Sequence, residues 1–298
     1  VILFFNNFKY IIMRKIIIVS IALIFAMANV FAQEEGTKNR GGKDFSEILP
    51  HAGDIALGLD MANFIKSINN SITNASSGNT IVAFQTDFFG KYFLTDRSAI
   101  RARLGIRVNN STDRVFVRDD AANLLNPSLD NPITEAKTVD IYKRRVTTLE
   151  LGIGYEYRRS LWRVQGYVGG ELFGGVTFNK NIFEYGNPVT EANQTPSTTT
   201  FPSSGANVNG FRPLESVRGN TMALGAAIFI GADFFICRNL SIGAEFDLEG
   251  RYTRTGELSY KTETWLLNQA YTAEERLKPV ISSFGLNPTG RFNLSLYF

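Results

Sequence analysis

The sequence predicts an all-β fold of eight antiparallel strands. Three observations favour it: apolar and polar residues alternate with a period of two in successive segments, short and long connections alternate along the chain, and after residue 32 no uncharged apolar run is long enough for a membrane-spanning helix. A chain of this kind can cross a membrane only with strands. Its 298 residues are enough for one large domain or two small ones, and its single Cys excludes a disulfide-stapled fold.

The N-terminal residues indicate export. Met13 is followed by two basic residues, an apolar run over 16–27 and small residues ending at Ala32, a pattern typical of a secretory signal peptide cleaved before Gln33. An uncleaved membrane anchor is the alternative, because the uncharged run approaches the length of about 18 residues that a membrane helix requires. The three bases of this leader account for the net charge of +3, so the rest of the chain is neutral and no nucleic-acid partner is expected.

These features divide the chain into four parts. We expect an untranslated upstream extension over 1–12, the signal peptide over 13–32, a polar lead-in over 33–53 and a single folded domain over 54–298. The strands of that domain are predicted over 54–65, 80–93, 98–110, 140–158, 161–180, 220–236, 240–258 and 289–298.

The apolar residues set the phase of each strand, and the charged residues then fall on the opposite face. In the seventh strand, Phe246 and Leu248 alternate with Glu245, Asp247 and Glu249. The charged face carries nine acids and six bases: Asp60, Asp87, Lys91, Arg101, Arg103, Arg107, Glu150, Glu156, Arg163, Glu171, Asp233, Glu245, Asp247, Glu249 and Arg251. A wrong period would scatter these charges over both faces.

The connections indicate an up-and-down meander. Tight turns are predicted at 94–98, 159–160 and 237–239, and long polar segments at 66–79, 111–139, 181–219 and 259–288. Alternate connections of a meander lie at the same end, so one end carries short turns and the other long loops. If residues 159 and 160 form a two-residue hairpin loop, Glu156 faces Arg163 on the inside. Within the last long segment, 272–275 fits a capping box and predicts a helical turn.

Two architectures fit this alternation. A soluble lipocalin-like barrel would turn the apolar face inward, whereas a membrane barrel would turn it outward to lipid. The charged face also carries many small residues, among them Gly152, Gly169 and Gly231, which suit the crowded inside of a narrow barrel. An outward aromatic girdle is predicted near the short-turn end: Tyr92, Tyr155, Tyr157, Trp162, Phe234 and Phe298. The sequence therefore predicts a transmembrane barrel whose interior charges pair into a network that plugs the lumen.

The end of the chain carries a family resemblance. Phe292, Leu294, Leu296 and Phe298 place apolar residues at alternate positions up to a terminal Phe. Together with the leader and the eight strands, this segment resembles the outer-membrane β-barrel family of Gram-negative bacteria, of OmpA/OmpX-like architecture. The resemblance implies an outer-membrane location, a periplasmic lead-in, long loops at the cell surface, and a closing strand that the barrel assembly machinery recognises.

No catalytic, cofactor or metal site is expected. His51 precedes the first strand with no nucleophile beside it, and Cys237 lies in a turn without a partner. The expected function is a monomeric scaffold in outer-membrane lipid that presents surface loops for adhesion, for interaction with a partner that the sequence does not identify, or for envelope integrity. A narrow channel for small or hydrophobic solutes is the alternative, and a lipid-modifying enzyme is the third hypothesis.

Overall fold

A computed structural model describes residues 46–73, 80–125, 135–201 and 211–298. The predicted signal peptide, its cleavage site between Ala32 and Gln33, and most of the lead-in lie outside these residues. Within the described ranges, no helix is both long and apolar enough to cross a membrane.

Eight strands pair antiparallel with their neighbours and close into a ring, which confirms the predicted barrel. The strands of the ring are β1 (Ile55–Asp60), β2 (Thr80–Thr95), β3 (Ser98–Arg118), β4 (Lys137–Leu161), β5 (Val164–Glu184), β6 (Arg212–Cys237), β7 (Leu240–Thr255) and β10 (Ile281–Tyr297). β1 pairs with both β2 and β10 and so joins the two ends of the chain. β3 to β6 are 21 to 26 residues long, about twice the 9–11 residues that cross a bilayer, and so project beyond it at the long-loop end.

The first strand is shorter than predicted, because a helix begins in the middle of it. β1 ends at Asp60, and α1 (Met61–Thr73) follows, so the prediction of a strand over 54–65 is wrong beyond residue 60. The carboxylate of Asp60 caps the helix: its Oδ1 accepts a hydrogen bond from the amide of Ala62 at 3.0 Å, and its Oδ2 accepts one from Nδ2 of Asn63 at 2.6 Å. This cap satisfies donors that the strand pairing no longer uses.

The helix α1 covers the edge of β2 that the short β1 leaves unpaired. The backbone amide of Gln85 donates a hydrogen bond to Oγ of Ser67 at 2.8 Å, and the same Oγ lies 3.0 Å from the Gln85 carbonyl oxygen. A side-chain hydroxyl thereby replaces a strand partner for this residue.

The last long segment contains a β-hairpin that the sequence analysis did not predict. β8 (Leu258–Leu266) and β9 (Gln269–Lys278) pair antiparallel, and β8 also pairs with the first residues of β6. The turn residues Leu267 and Asn268 have φ values of 52° and 58°, as a two-residue hairpin turn requires. The helical turn predicted at 272–275 is wrong, because these residues pair with β8 instead.

The hairpin between β4 and β5 turns later than predicted. Leu161 pairs with Val164, so Trp162 and Arg163 form the turn, and Trp162 has a φ of 61°. Residues 159 and 160 are strand residues that pair across to β5, and the predicted turn at 159–160 is therefore wrong.

Candidate functional site

Charged side chains fill the lumen of the barrel. The predicted charges apart from Arg163 are buried or half-buried on its inner side: Asp60, Asp87, Lys91, Arg101, Arg103, Arg107, Glu150, Glu156, Glu171, Asp233, Glu245, Asp247, Glu249 and Arg251. The structure adds Arg158 and Arg291, both buried, which the sequence analysis missed. The alternation of the closing strand could have identified Arg291 as an inner residue, because it precedes the outward residues Phe292 and Leu294 in that pattern.

Arg158 is the centre of the network nearest the short-turn end. Its guanidinium contacts Glu156 through Nη1, Asp233 through Nη2 at 2.5 Å, and Oε1 of Gln165 through Nε at 2.6 Å. Lys91 Nζ lies 3.4 Å from Glu156 and 3.6 Å from Asp233, so two cations balance two carboxylates. All five side chains are buried, and each charge therefore depends on its partners for solvation.

Two arginines of β3 organise the middle of the lumen. Arg101 makes a bidentate contact with Glu245 at 2.5 and 2.9 Å. Arg103 donates from Nε to Glu171 at 2.6 Å and approaches Glu150 at 2.9 Å. These pairs join β3 to β4, β5 and β7 across the inside of the barrel, and the planar guanidinium suits such multiple contacts.

Arg291 and Arg251 continue the network toward the long-loop end. Arg291 Nη1 lies 2.9 Å from Glu245 and 3.0 Å from Asp247. Arg251 Nη1 lies 2.6 Å from Glu150, a carboxylate that Arg103 also contacts. Among the described residues, these pairs form a second connected set, stacked along the lumen beside the set around Arg158.

Aromatic rings pack between these charges and take up the remaining space. The guanidinium carbon of Arg101 lies 4.2 Å from the centre of the Phe229 ring, a cation–π distance. That ring in turn lies over Gly169, where a Cβ would come within 2.5 Å of Phe229 Cζ. Tyr167 lies over Gly231 in the same way, at 2.4 Å from the site of a Cβ. The glycines of the inner face therefore provide room for the aromatic rings.

An apolar cluster closes the short-turn end of the lumen. Its buried members are Ala56, Phe93, Ala99, Phe235 and Tyr297. Ile48 and Leu49 of the lead-in pack against it from outside the strands. Residues of the lead-in thus help to close the lumen at its short-turn end.

The predicted contact between Glu156 and Arg163 is wrong. Because the hairpin turns at residues 162 and 163, Glu156 pairs across the strands with Gly169, and Arg163 lies outside the lumen. Nη1 of Arg163 donates a hydrogen bond to the carbonyl oxygen of Ile236 at 3.2 Å, at an exposed position. Arg158 and Lys91 contact Glu156 instead.

The outer face of the barrel is apolar. Leu151, Leu172 and Leu224, from three consecutive strands, are each about two-thirds exposed, at 66%, 65% and 66%. The predicted girdle residues are all exposed on this outer side: Tyr92, Tyr155, Tyr157, Trp162, Phe234 and Phe298. The Trp162 and Phe234 rings meet edge to face at 6.4 Å. Such a surface suits hydrocarbon and not water.

The closing strand joins the barrel through its last residues. Ile55 and Phe298 exchange backbone hydrogen bonds of 3.1 and 2.9 Å. Phe292, Leu296 and Phe298 are exposed on the outer face, and Leu294 is half-buried between them.

Replacement of Phe298 by Asp is expected to reduce the amount of folded barrel in the membrane. The carboxylate would stand at an outward apolar position while the backbone bonds to Ile55 could still form. Heat-modifiable migration on gels measures the folded fraction, and Phe298→Leu is the matched control that keeps an apolar residue. A normal folded fraction in the Asp variant would contradict a role of Phe298 in assembly.

The long-loop end is built from loops that side chains fasten together. Asn187 is buried, and its Nδ2 donates to the carbonyl oxygens of Arg118 and Ser197 at 2.7 and 2.8 Å. Its Oδ1 accepts a hydrogen bond from the amide of Asp120 at 3.0 Å. One amide side chain thus joins the end of β3, the start of α2 (Asp120–Leu125) and the segment 185–201.

Two carboxylates fasten the same segment. Asp140 is fully buried and accepts hydrogen bonds from the amides of Gly186 and Thr199 at 2.9 and 2.8 Å. Asp120 accepts one from the amide of Ser197 at 2.7 Å and one from Asn193, also at 2.7 Å. Desolvation acts to raise the pKa of Asp120, but these hydrogen bonds outweigh it and lower the pKa below its ordinary value.

An aromatic cluster supports these loops. Tyr142 stacks on Phe183 at 5.0 Å and on Phe201 at 5.5 Å, and all three are buried. Tyr185 packs against them and donates from its hydroxyl to the carbonyl oxygen of Pro213 at 2.7 Å. Burial raises the pKa of Tyr185 above its ordinary value. The long-loop end therefore has a small core of its own.

His51 and Cys237 are both exposed. In the described part of the chain, no three His, Cys, Asp or Glu side chains are grouped so as to hold a metal ion.

Comparisons with known proteins show distant structural likeness. No protein-family profile and no curated protein matches the chain. The N-terminal β-barrel domain of OprF from Pseudomonas aeruginosa is similar at 10% identity and a TM-score of 0.32, over 84% of this chain and 100% of that one. The outer membrane protein OprG from Pseudomonas aeruginosa is similar at 10% identity and a TM-score of 0.35, over 84% of this chain and 98% of that one. A major outer membrane protein from Thermus thermophilus is similar at 10% identity and a TM-score of 0.32, over 83% of this chain and 100% of that one.

The strand pairings of this chain define the fold without these comparisons. Eight antiparallel strands close into a ring with charges inside and an apolar belt outside. The chain therefore has the architecture of the small outer-membrane β-barrels.

Proposed function

We propose that the protein is a scaffold in the outer membrane whose sealed barrel holds a binding surface at the cell exterior. The observation that carries this proposal is the filled lumen, in which Arg101, Arg103 and Arg158 are 1%, 2% and 0% exposed. An eight-stranded barrel has space inside for side chains and little else. A structure that excludes water from its own charges offers no route for a hydrated solute.

The long-loop end supports the binding role. Ordering a long loop costs conformational entropy, about 1–2 kcal/mol for each residue whose backbone is fixed. Asn187 and Asp140 nevertheless hold the segment 185–201 with buried hydrogen bonds, and β8 and β9 extend the sheet beside it. Defined surfaces of this kind suit recognition better than unstructured loops do.

The same proposal specifies how the barrel is oriented in the outer membrane and what surrounds it. The long-loop end faces outward, the short-turn end with Ile48 and Leu49 faces the periplasm, and lipid surrounds the apolar belt. The barrel assembly machinery would insert the chain, which then acts as a monomer without a catalytic centre.

Single-channel recording in a planar lipid bilayer tests the sealed lumen. The purified, refolded barrel is expected to show no stepwise conductance, because the buried arginines, their carboxylate partners and the aromatic rings between them lie across the lumen. A variant with Arg101, Arg103, Glu171 and Glu245 all changed to Ser is the matched control: it removes opposite charges in equal number and should open a measurable leak. Stepwise conductance of the unchanged protein would contradict the proposal and support the channel.

Vesicle binding tests the surface role. Lipid vesicles carrying the barrel are expected to adhere to at least one member of a panel of immobilised glycoproteins, matrix proteins and lipopolysaccharide. Vesicles carrying a variant with 187–199 replaced by a glycine–serine segment of equal length should lose that adhesion. Equal adhesion of both vesicles would mean that any binding occurs elsewhere on the barrel.

The hypothesis of a lipid-modifying enzyme needs a separate test. Mass spectrometry of lipid A from cells that produce the protein would reveal such a modification.

A further inference from the structure

A cleft at the long-loop end lies between the segment 185–201 and strand β8. Its volume is about 450 Å³, within the range of about 300–1,000 Å³ that is usual for small-molecule sites. The lining includes Gln194, Thr195, Thr198, Phe211, Arg212, Glu263 and Trp265. They combine aromatic rings, hydroxyl groups and an amide with a single pair of charges.

The ion pair of Arg212 and Glu263 lies in the wall of this cleft. The two residues pair across β6 and β8, with Arg212 Nε 2.7 Å from Glu263 Oε1 and side-chain exposures of 8% and 18%. Arg212 also donates from Nη1 to the carbonyl oxygen of Asn187 at 2.8 Å and stacks on Tyr185 at 4.5 Å. Among the described residues, Arg212 Nη2 and Glu263 Oε2 have no hydrogen-bond partner. N–H donors on Arg212 Nη2 and an acceptor oxygen on Glu263, all held in place by the ion pair, thus remain for a ligand.

Trp265 adds an aromatic surface beside the ion pair. It stands two residues after Glu263 on β8, so the two side chains share a face of the sheet, and its side chain is half-buried. Gln194, Thr195 and Thr198 line the cleft from the facing segment. The Gln194 amide and the Thr198 hydroxyl each donate a hydrogen bond of 3.3 Å to a carbonyl oxygen of this segment, and their own oxygens can still accept one. A ligand in this cleft would meet a flat apolar ring on one side and hydrogen-bonding groups on the other.

The charges of the cleft point to a neutral ligand. Among the described lining residues only Arg212 and Glu263 are charged, and they neutralise each other, so an anion or a cation gains no net attraction. A sugar ring offers hydroxyl groups that both donate and accept, and a C–H face that packs on an indole ring. We propose that this cleft binds a neutral saccharide unit, an inference that rests on the proposed surface function and names its ligand class.

Fluorescence of Trp265 can report binding directly. The chain has two Trp residues, and Trp162 lies in a turn at the opposite end of the barrel, so Trp162→Phe leaves Trp265 as the only indole. This variant, in lipid nanodiscs, would be titrated with lactose, maltose, mannobiose, chitobiose and the anionic sialyllactose. At least one neutral disaccharide is expected to shift or quench the emission with saturation, and sialyllactose should not exceed lactose.

Two substitutions distinguish the contribution of the cleft to saccharide binding from that of the rest of the β8–β9 hairpin. Glu263→Gln keeps the size of the side chain but removes the charge, and should weaken saccharide binding at least tenfold. Glu257→Gln is the control, because Glu257 pairs with Arg276 at an exposed position and does not line the cleft. Heat-modifiable migration and resistance of the segment 185–201 to protease would show that both variants are folded.

The outcomes distinguish this proposal from the function on which it rests. Absence of any saturable response to the neutral disaccharides, or equal affinity of the Glu263→Gln and Glu257→Gln variants, would overturn the saccharide cleft. Neither result would alter the bilayer recordings or the vesicle adhesion, which test the scaffold separately. Competition by oligosaccharides released from lipopolysaccharide or from host glycoproteins would then identify which source supplies the sugar.

Discussion

Replacement of Arg158 by Met is expected to lower the free energy of unfolding by about 3–5 kcal/mol. The guanidinium is fully buried and contacts Glu156, Asp233 and Gln165, so its removal leaves two carboxylates for which Lys91 is the one remaining ion-pair partner among the described residues. Lys91 is 3.4 Å or more from each carboxylate and cannot supply the lost hydrogen bonds. Urea titration of the barrel in lipid vesicles, followed by heat-modifiable migration, measures the change.

Two further variants test the cause of this loss. Arg163→Met removes a half-buried arginine from the turn nearby, where its hydrogen bond to the carbonyl oxygen of Ile236 is exposed, and should change the free energy of unfolding by less than about 1 kcal/mol. Adding Asp233→Asn to Arg158→Met removes one of the two stranded carboxylates and leaves Glu156 paired with Lys91 at 3.4 Å, so it should recover part of the stability. If Arg158→Met is as stable as Arg163→Met, the buried ion pairs do not contribute as the structure indicates.

The phase of the strands could be predicted because it depends on local pattern alone. Lipid on one side and a crowded, charged lumen on the other impose the same period of two on every strand, so Glu245 and Asp247 are assigned correctly without knowledge of their partners. The strand count and the asymmetry of the two ends follow in the same way. None of these features requires contacts between distant residues.

The turn between β4 and β5 shows where local pattern is insufficient. Moving the turn from residues 159–160 to residues 162–163 leaves the phase of Glu156 unchanged but alters every cross-strand partner. Gln165, which bonds both Arg158 and Ser160, favours the observed register. Such a contact becomes visible only when the two strands are placed side by side.

The helix α1 and the β8–β9 hairpin departed from the sequence prediction for a related reason. Asp60 continues the alternation of β1, yet its carboxylate also caps a helix, and Ser67 stabilises that helix by bonding to β2. The acidic residues at 274 and 275 resemble a helix start, but pairing with β8 outweighs that local preference.

The loop end was the least predictable part, because its contacts are long-range. Asn187 reaches Arg118, 69 residues earlier, and Glu263 pairs with Arg212, 51 residues earlier. An Asn–Pro pair in sequence indicates a turn, but it does not indicate that the Asn side chain joins three segments. The saccharide cleft therefore depends on placements that only the folded chain shows.

Neighbouring residues of β7 lie on opposite faces of the barrel wall, so substitutions at two of them can test whether the apolar face points to lipid. Phe246 is 55% exposed on the outer face, next to Ile230 of β6, whereas Asp247 is fully buried and lies 3.0 Å from Arg291. Phe246→Arg would place a cation in the lipid belt and should cost about 2–4 kcal/mol of folding free energy in a bilayer.

Asp247→Asn is the matched control for this substitution. It keeps an oxygen that can accept the hydrogen bond from Thr289, and Arg291 retains Glu245 at 2.9 Å. Folding into lipid vesicles should therefore be nearly complete for Asp247→Asn and much reduced for Phe246→Arg, as measured by heat-modifiable migration over a urea series. Equal folding of the two variants would mean that Phe246 does not face lipid, and the outward assignment of the apolar belt would be wrong.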